Sequence, residues 1–170
     1  MPKSDLRKPA QVTPTQTEII CIAMNAAGGF DVTTAGTLPT NASDQAIMAL
    51  INSGKRDPLP PRSNPFDLKI EASTDIVYHL DTDGWFFTER QFRLKDGTEN
   101  DTPSAGGGNR EFGSLRWVDD NGTDRQKTIA IVDTWRRMEK FEYGLFLALQ
   151  QDGMETIIEI DPVIENDERP

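Results

Sequence analysis

Residues 141–149 read FEYGLFLAL, with an apolar side chain at every second position. The alternating set is Phe141, Tyr143, Leu145, Leu147 and Leu149. A period of two is typical of a β-strand that turns one face to a core and the other to water. Phe146, on the opposite side, departs from the pattern. The stretch therefore predicts a long, half-buried strand.

The residues that follow this strand predict one more strand and then a tail. Asp152-Gly153 is a turn signal, and a strand over 154–160 follows it. Residues 161–167 read DPVIEND. Pro162 has no N–H to donate, so the strand ends near it or lies at a sheet edge. We therefore expect residues 162–170 to form an acidic, solvated C-terminal tail.

Toward the N-terminus, the same period of two and repeated turn signals predict further short strands. They lie at 18–25, 30–38, 66–71, 76–80, 85–94, 111–118 and 127–135. Strands do not alternate with long helices, so the expected architecture is an antiparallel sandwich or barrel. We assign residues 17–161 to this single β-domain.

Three segments do not fit the strand pattern. Ser43 can cap the N-terminus of a short helix that reaches Asn52, and the proline-rich residues 55–65 form an extended loop after it. The first sixteen residues are polar and proline-bearing, which predicts a flexible arm. Residues 95–110 form a polar, glycine-containing loop that is long enough to be functional.

The region around residues 129–145 favours an immunoglobulin-like sandwich over a barrel. Ile129-Ala130-Ile131 followed by residues 139–145 resembles the E-to-F region of that fold, where a tyrosine hydroxyl folds back to the corner. Tyr143 is either that tyrosine or an ordinary inward aromatic. The predicted fold class is therefore all-β: an antiparallel immunoglobulin-like β-sandwich with one short helix in an inserted loop.

Charge and composition exclude several classes of partner. The formal net charge of −10 and the pI near 4.6 disfavour binding to nucleic acid and to anionic membranes, because both need clustered Lys and Arg. The apolar runs are shorter than the roughly 20 residues of a membrane-spanning helix. The start lacks the apolar stretch of a secretory signal, so a cytoplasmic protein is expected.

Acidic turns make calcium the first candidate ligand, because this hard cation takes six to eight oxygen ligands. The candidate ligands are Asp81, Asp83, Asp161, Glu165 and Asp167, with Asp119, Asp120 and Asp124 in a further turn. No EF-hand register fits either candidate glycine, Gly84 or Gly122. Turn chemistry explains most of these carboxylates equally well.

Carbohydrate is the second candidate ligand. Glu89 and Glu142 lie on predicted strands near aromatic residues, and Trp85, Trp117 and Trp135 could form a recognition patch. Alternating glutamates on a half-wet sheet are ordinary, however, and such aromatics more often belong to the core.

The sequence offers few residues for nucleophilic catalysis. His79 and Cys21 are the single histidine and the single cysteine, and they would have to form any Cys-His pair. A packed or surface histidine and a buried, hydrophobic thiol are the more usual roles of such residues. We predict no catalytic residue and no bound cofactor.

The C-terminal half resembles the DP-EP family of uncharacterised bacterial proteins. The resemblance rests on residues 78–87, YHLDTDGWFF, on residues 143–149, YGLFLAL, and on DPVIEND. It implies a β-sandwich in a bacterial cytoplasm and carries no catalytic residues. A second similarity, to bacterial inclusion-body and stress-associated proteins, implies self-assembly.

These observations together predict a non-enzymatic protein. Exposed sheet edges favour protein association or self-assembly, with either another protein or a second copy as partner. The alternatives are a calcium-binding module and a carbohydrate-binding or carbohydrate-acting protein.

Overall fold

The computed structural model describes residues 14–39, 42–60, 64–94, 112–123, 125–135, 140–160 and 163–167, with the side chains of 89–94 and 113–115 outside the description. Its elements are β1 (Gln16–Met24), β2 (Phe30–Pro39), α1 (Asp44–Asn52), β3 (Asp57–Pro58), β4 (Leu68–Ile70), β5 (Thr74–Leu80), β6 (Trp85–Leu94), β7 (Phe112–Trp117), β8 (Thr128–Asp133), β9 (Lys140–Gln151), β10 (Met154–Ile160) and β11 (Val163–Asn166). The bounds of β6 and β10 are those that the sequence predicts. Most of the arm and the loop 95–110 lie outside the described residues.

The strands form two sheets. The first sheet has the order β3-β2-β1-β5-β8-β7, and the second has the order β10-β9-β11-β4, with β6 also paired to β9. The mainly β architecture with one short helix is therefore confirmed. The prediction that all strands pair antiparallel is wrong, since β1 runs parallel to β5 and β11 parallel to β4.

The segment between β1 and β5 explains the first of these parallel pairs. Parallel neighbours need a crossover of a dozen or more residues, which a hairpin turn cannot provide. Here β2, α1, the proline-rich loop and β4 fill that crossover, so β5 starts from the same end as β1. The inserted helix was predicted, but its effect on strand direction was not.

The two sheets pack face to face around one apolar core. The second sheet contributes the alternating residues of β9, of which Tyr143, Leu145 and Leu147 are fully buried. The first sheet contributes alternate residues of β1, β5 and β8, among them Ile20 and Ile131. The strand predicted at 141–149 is confirmed, but it is not half-buried: over residues 143–148 both faces are covered, since Gly144, Phe146 and Ala148 are buried as well.

A second, smaller core lies on the other side of the first sheet, beneath α1. Ile47 and Ile51 of the helix pack with a cluster of buried sheet residues. That cluster includes Ile19, Cys21, Ala35, Val77, Val118 and Ala130. Because β1 is covered on both faces, it reads as a continuous apolar run.

The helix begins and ends as its sequence predicts. The Ser43 hydroxyl accepts a hydrogen bond from the Ala46 N–H at 3.1 Å, which satisfies one free donor of the first turn. After the C-cap Ser53, Gly54 adopts φ +82, the left-handed conformation that glycine accepts without strain.

The acidic end of the chain is not a solvated tail over residues 163–166. These residues form β11, which lies between β9 and β4, and its Ile164 is fully buried. The side chain of Asn166 donates to Asp133 Oδ1 at 3.1 Å. The sequence prediction weighed the carboxylates and overlooked that Ile164 and Asn166 share one face, which the core can bury.

A series of hydroxyl groups joins the two sheets inside the main core. The Tyr78 hydroxyl of β5 donates to the Tyr143 hydroxyl of β9 at 2.9 Å, and Tyr143 donates to the Phe66 carbonyl at 3.0 Å. Phe66 lies far upstream, not at the corner before β9. Tyr143 is thus a fully buried, inward aromatic whose hydroxyl proton is donated to Phe66.

Replacing Ile164 with alanine should lower the free energy of unfolding by about 2–5 kcal/mol, because it leaves a cavity in the core. Chemical denaturation monitored by tryptophan fluorescence measures this. The control is Glu142→Ala at an exposed position of β9, which should change stability by about 0.5 kcal/mol or less. Equal small effects would mean that β11 does not pack in solution.

The two tyrosines should differ in their sensitivity to loss of the hydroxyl. Tyr143→Phe leaves both the Phe66 carbonyl and the Tyr78 hydroxyl without their partner, and should cost about 1–3 kcal/mol. Tyr78→Phe removes a donor to Tyr143 but leaves the bond from Tyr143 to Phe66 in place, so it should cost less. Denaturation of the two single variants and the double variant tests the order.

Candidate functional site

The strand β10 forms one free edge of the second sheet. All seven residues of β10 pair with β9 in one unbroken register, from Met154 opposite Gln151 to Ile160 opposite Leu145. Within the described residues, no strand pairs with the other side of β10. Its outward N–H and C=O groups therefore point away from the sheet and are free to form backbone hydrogen bonds with a further strand.

Exposed apolar side chains lie on this same strand. Met154 is 74% exposed and Ile157 is 56% exposed, and in the described part of the chain these are the large hydrophobic side chains that stand in solvent. Residues 154–160 contain neither lysine nor proline. Lysine, proline and bulges are the features that usually prevent an edge from pairing.

The other described sheet edges are short or irregular. The strand β3 has two residues and ends in Pro58, and β4 has three residues. The six-residue β7 carries a register shift between Gly113 and Arg116. Among the described strands the ten-residue β6 pairs with β9 alone, so it is also an edge strand, but it carries a register shift between Phe87 and Phe92 and an isolated bridge from Phe87 to Gln126. Of the described edges, β10 is therefore the one best suited to take a further strand.

The carboxylates of β10 are engaged along the sheet. Glu155 forms an ion pair with Arg125 at 2.7 Å. The carboxylate of Glu159 lies over Gly144 of β9, where an added Cβ would clash with it. Both charged groups thus lean across the sheet, and they leave the backbone edge of β10 accessible.

A polar cluster around His79 lies at the C-terminal end of β5. Arg56 holds Asp81 with two hydrogen bonds of 2.7 and 2.8 Å, and His79 Nε2 is 3.4 Å from Asp81 Oδ1. The other ring nitrogen, Nδ1, is 2.7 Å from Thr128 Oγ1. Lys127 is the second cation that faces this histidine.

The contacts and pKa values of this cluster are those of a stabilising ion-pair network and not those of a nucleophilic site. Burial, helped by the charges of Arg56 and Lys127, lowers the pKa of His79 from 6.5 to about 4 against the opposing effect of Asp81. Burial also raises the pKa of the Cys21 thiol to about 11. A reactive thiolate needs a lowered pKa and access to solvent, and Cys21 has neither.

Two arginine pairs fasten the ends of α1 to the first sheet. At the N-terminal end, Arg116 binds Asp75 at 2.8 Å and lies 3.4 Å from Asp44 of the first helical turn. At the C-terminal end, Arg56 donates to the Ile51 carbonyl at 3.1 Å. A cation beside a free helix carbonyl and a carboxylate in the first turn both suit the helix dipole.

Glu18 is the further titratable group that the main core perturbs. Burial raises the pKa of this carboxyl above its ordinary value. The charge of Glu18 also contributes to raising the pKa of Tyr78, which faces the same core. Sequence reasoning missed Glu18, because it precedes an apolar run and looks like an ordinary strand residue.

The predicted calcium ligands do not converge on one point. Asp81 and Asp83 follow β5, whereas Asp167 is bound through its N–H to the Ile70 carbonyl, four residues before β5 begins. A strand of seven residues is about 20 Å long, so these groups lie at opposite ends of the molecule. Asp161 lies outside the described residues.

The described acidic groups also have partners of their own. Asp81 binds Arg56, Asp167 lies 2.9 Å from Lys69, and Glu165 lies 4.0 Å from Lys140. In the turn after β7, Asp120 accepts from the Gly122 N–H at 2.8 Å. Among the described residues, no group of three or more His, Cys, Asp or Glu side chains could hold a metal ion.

The three tryptophans do not form one exposed patch. Trp85 is buried and packs edge-on against Phe30 at 5.7 Å. Trp117 and Trp135 are half-buried against the main core, and the Trp135 indole donates to the Asp167 carbonyl at 2.9 Å. Of the two alternatives for these side chains, the structure therefore favours the core over a recognition patch.

The carbohydrate prediction relied on an exposed aromatic patch, and the three tryptophans do not form one. Glu142 is exposed on β9, and the side chain of Glu89 is outside the description.

Comparison with protein-family models finds no match to this chain, and no curated protein matches it either. Within the described residues, no helix is long and apolar enough to cross a membrane.

His79 should make stability depend on pH. Its pKa is lower in the folded chain than the ordinary 6.5, so the unfolded chain binds the extra proton between pH 6.5 and about 4. The free energy of unfolding should therefore fall by about 3 kcal/mol from pH 7 to pH 4 on account of this residue. Glu18, with a raised pKa, acts in the opposite direction as the pH falls.

The matched comparison is His79→Gln, which keeps a polar group but does not titrate. Subtracting its pH profile of unfolding free energy from that of the unaltered protein removes the effects of Glu18 and of other carboxylates. Parallel profiles would show that His79 is solvated in solution.

Proposed function

We propose that this protein is a non-enzymatic association module that binds a protein partner by strand addition at β10. The observation that carries the proposal is the coincidence on one strand of a regular free edge and two exposed apolar side chains, Met154 and Ile157. In strand addition, main-chain hydrogen bonds provide affinity, and alternate side chains provide specificity.

The chemistry of the remaining polar groups supports a non-enzymatic role. The titratable cluster at His79 is an ion-pair network that fastens the α1 side of the first sheet, with a histidine that is neutral at pH 7. The Cys21 thiol is buried beneath α1. These groups stabilise the scaffold that presents β10.

The scaffold itself is proposed to be a variant of the immunoglobulin-like sandwich. In that fold strands B, E and D are neighbours in one sheet and C, F and G in the other. The orders β5-β8-β7 and β6-β9-β10 support the same assignment. In this comparison β10 corresponds to strand G, and the parallel β1 and β11 are departures from the pattern.

Membership of the DP-EP family stays a proposal, and so does the cytoplasmic location that it implies. Two of the resembling motifs are neighbours in space, since Trp85 pairs with Leu149 and Phe87 with Leu147. The third motif includes β11, which pairs with the beginning of β9. The resemblance assigns no site residue, so the association surface rests on β10 alone.

Ile157→Lys should abolish association, because it places a charge at the centre of the edge. The measurement is multi-angle light scattering across a concentration series, together with affinity capture from a native extract. The matched control is Asn52→Lys, which adds the same charge at an exposed position of α1 on the far side of the first sheet.

Unaltered protein that stays monomeric at high concentration and captures nothing would overturn the proposal. Equal association by the Ile157→Lys and Asn52→Lys variants would also overturn it, since the surface would then lie elsewhere. Circular dichroism and thermal unfolding of both variants exclude loss of the fold as the cause.

A further inference from the structure

We propose that the partner of β10 is β10 of a second copy of this chain. The two strands would pair antiparallel, with a two-fold axis at Ile157. The inference rests on the proposed function, since it requires β10 to be the association surface. It adds the identity of the partner, the symmetry of the complex and the pairing register.

The first argument concerns the kind of strand that this edge can bind. Met154 and Ile157 protrude into solvent, at 74% and 56% exposure, and so do not line a recessed groove. A disordered peptide that adds to such an edge loses conformational entropy and buries little side-chain surface in return. A strand that is already held in a sheet avoids that loss, and β10 of a second copy is such a strand.

The second argument concerns how the assembly closes. A filament would need each copy to present two different open edges. The other described edges, β3, β4, β6 and β7, are short or carry a register shift. Pairing of β10 with itself uses one edge per copy and produces a closed dimer. The two second sheets would then join into one continuous sheet.

The third argument fixes the register. Residues directly opposite each other in an antiparallel pair project to the same face of the sheet. The two-fold axis must therefore place one residue opposite its own copy, and it cannot lie midway between two successive residues. With the axis at Ile157, all seven residues of each β10 find a partner. Moving the axis to Thr156 or Ile158 leaves two residues of each strand unpaired. Maximum overlap therefore selects Ile157.

This register also brings the exposed apolar residues together. Ile157 lies opposite Ile157 of the second copy on one face, and Met154 lies opposite Ile160 of the second copy on the other. Glu155 lies opposite Glu159 of the second copy, and these two carboxylates repel each other. Arg125, which already binds Glu155, reduces that repulsion.

Single cysteine substitutions on β10 test the register directly. Opposite residues in an antiparallel pair have Cα atoms about 4.5–5.5 Å apart, which suits a disulfide. Ile157→Cys should therefore form a covalent dimer under mild oxidation, at least about ten times faster than Thr156→Cys or Ile158→Cys. In this register residue 156 lies opposite residue 158 of the second copy, so neither of these two cysteines faces its own counterpart. The unaltered protein is the control for Cys21, which is buried.

A charge exchange provides a second test that does not depend on oxidation. Glu159→Lys places a lysine opposite Glu155 of the second copy at two symmetric positions, and should lower the dimer dissociation constant by about three- to tenfold. Sedimentation equilibrium at low and high salt measures this. The control is Glu142→Lys, an exposed residue of β9 that lies away from the β10 edge.

The outcomes separate this inference from the proposed function. If Ile157→Lys abolishes capture of another protein while no cysteine variant cross-links faster than the unaltered protein, the β10 surface stands and the second-copy inference is overturned. Faster cross-linking of Thr156→Cys or Ile158→Cys, or weaker association of Glu159→Lys, overturns the register. If Ile157→Lys changes no association at all, both proposals fail.

Discussion

Three strands pair with β9, and this pairing holds the second sheet together. Its first residues pair with β11, and its later residues pair with β6 on one edge and β10 on the other. This is possible because β9, with twelve residues, is longer than any of these neighbours. The inward residues Tyr143, Leu145 and Leu147 therefore anchor four strands to one core, and among the described strands β10 pairs with β9 alone.

The insertion between β1 and β5 changes the first sheet from a simple hairpin stack into a three-layered arrangement. It returns the polypeptide to the starting end, so β5 runs parallel to β1. It also supplies α1, whose Ile47 and Ile51 cover the outer face of the first sheet. Arg56 and Arg116 fasten this cover at its two ends, and each of them satisfies a carboxylate of the sheet. Burial on both faces leaves this sheet with little surface for recognition.

The second sheet is different because its edge strand has no such cover among the described elements. The turn Asp152-Gly153 brings β10 back along β9 in a regular register, and nothing in its sequence breaks the outward ladder. Two glutamates keep the strand hydrated, and they lie back across the sheet. The edge of β10 is thus regular enough to pair with a further strand and polar enough to stay in contact with solvent.

Patterns that span a few residues were sufficient to place several elements of the fold. The period of two located β6, β9 and β10, and Ser43 with Gly54 located the helix, because capping and alternation act over a few residues. The tertiary structure decided the rest. Strand direction in the first sheet, the burial of Ile164 at an acidic end and the ion pairs that occupy Asp81 and Asp167 all depend on contacts between distant segments. The open edge at β10 is of the same kind, because an edge is defined by which neighbours are absent, and only the folded protein specifies its neighbours.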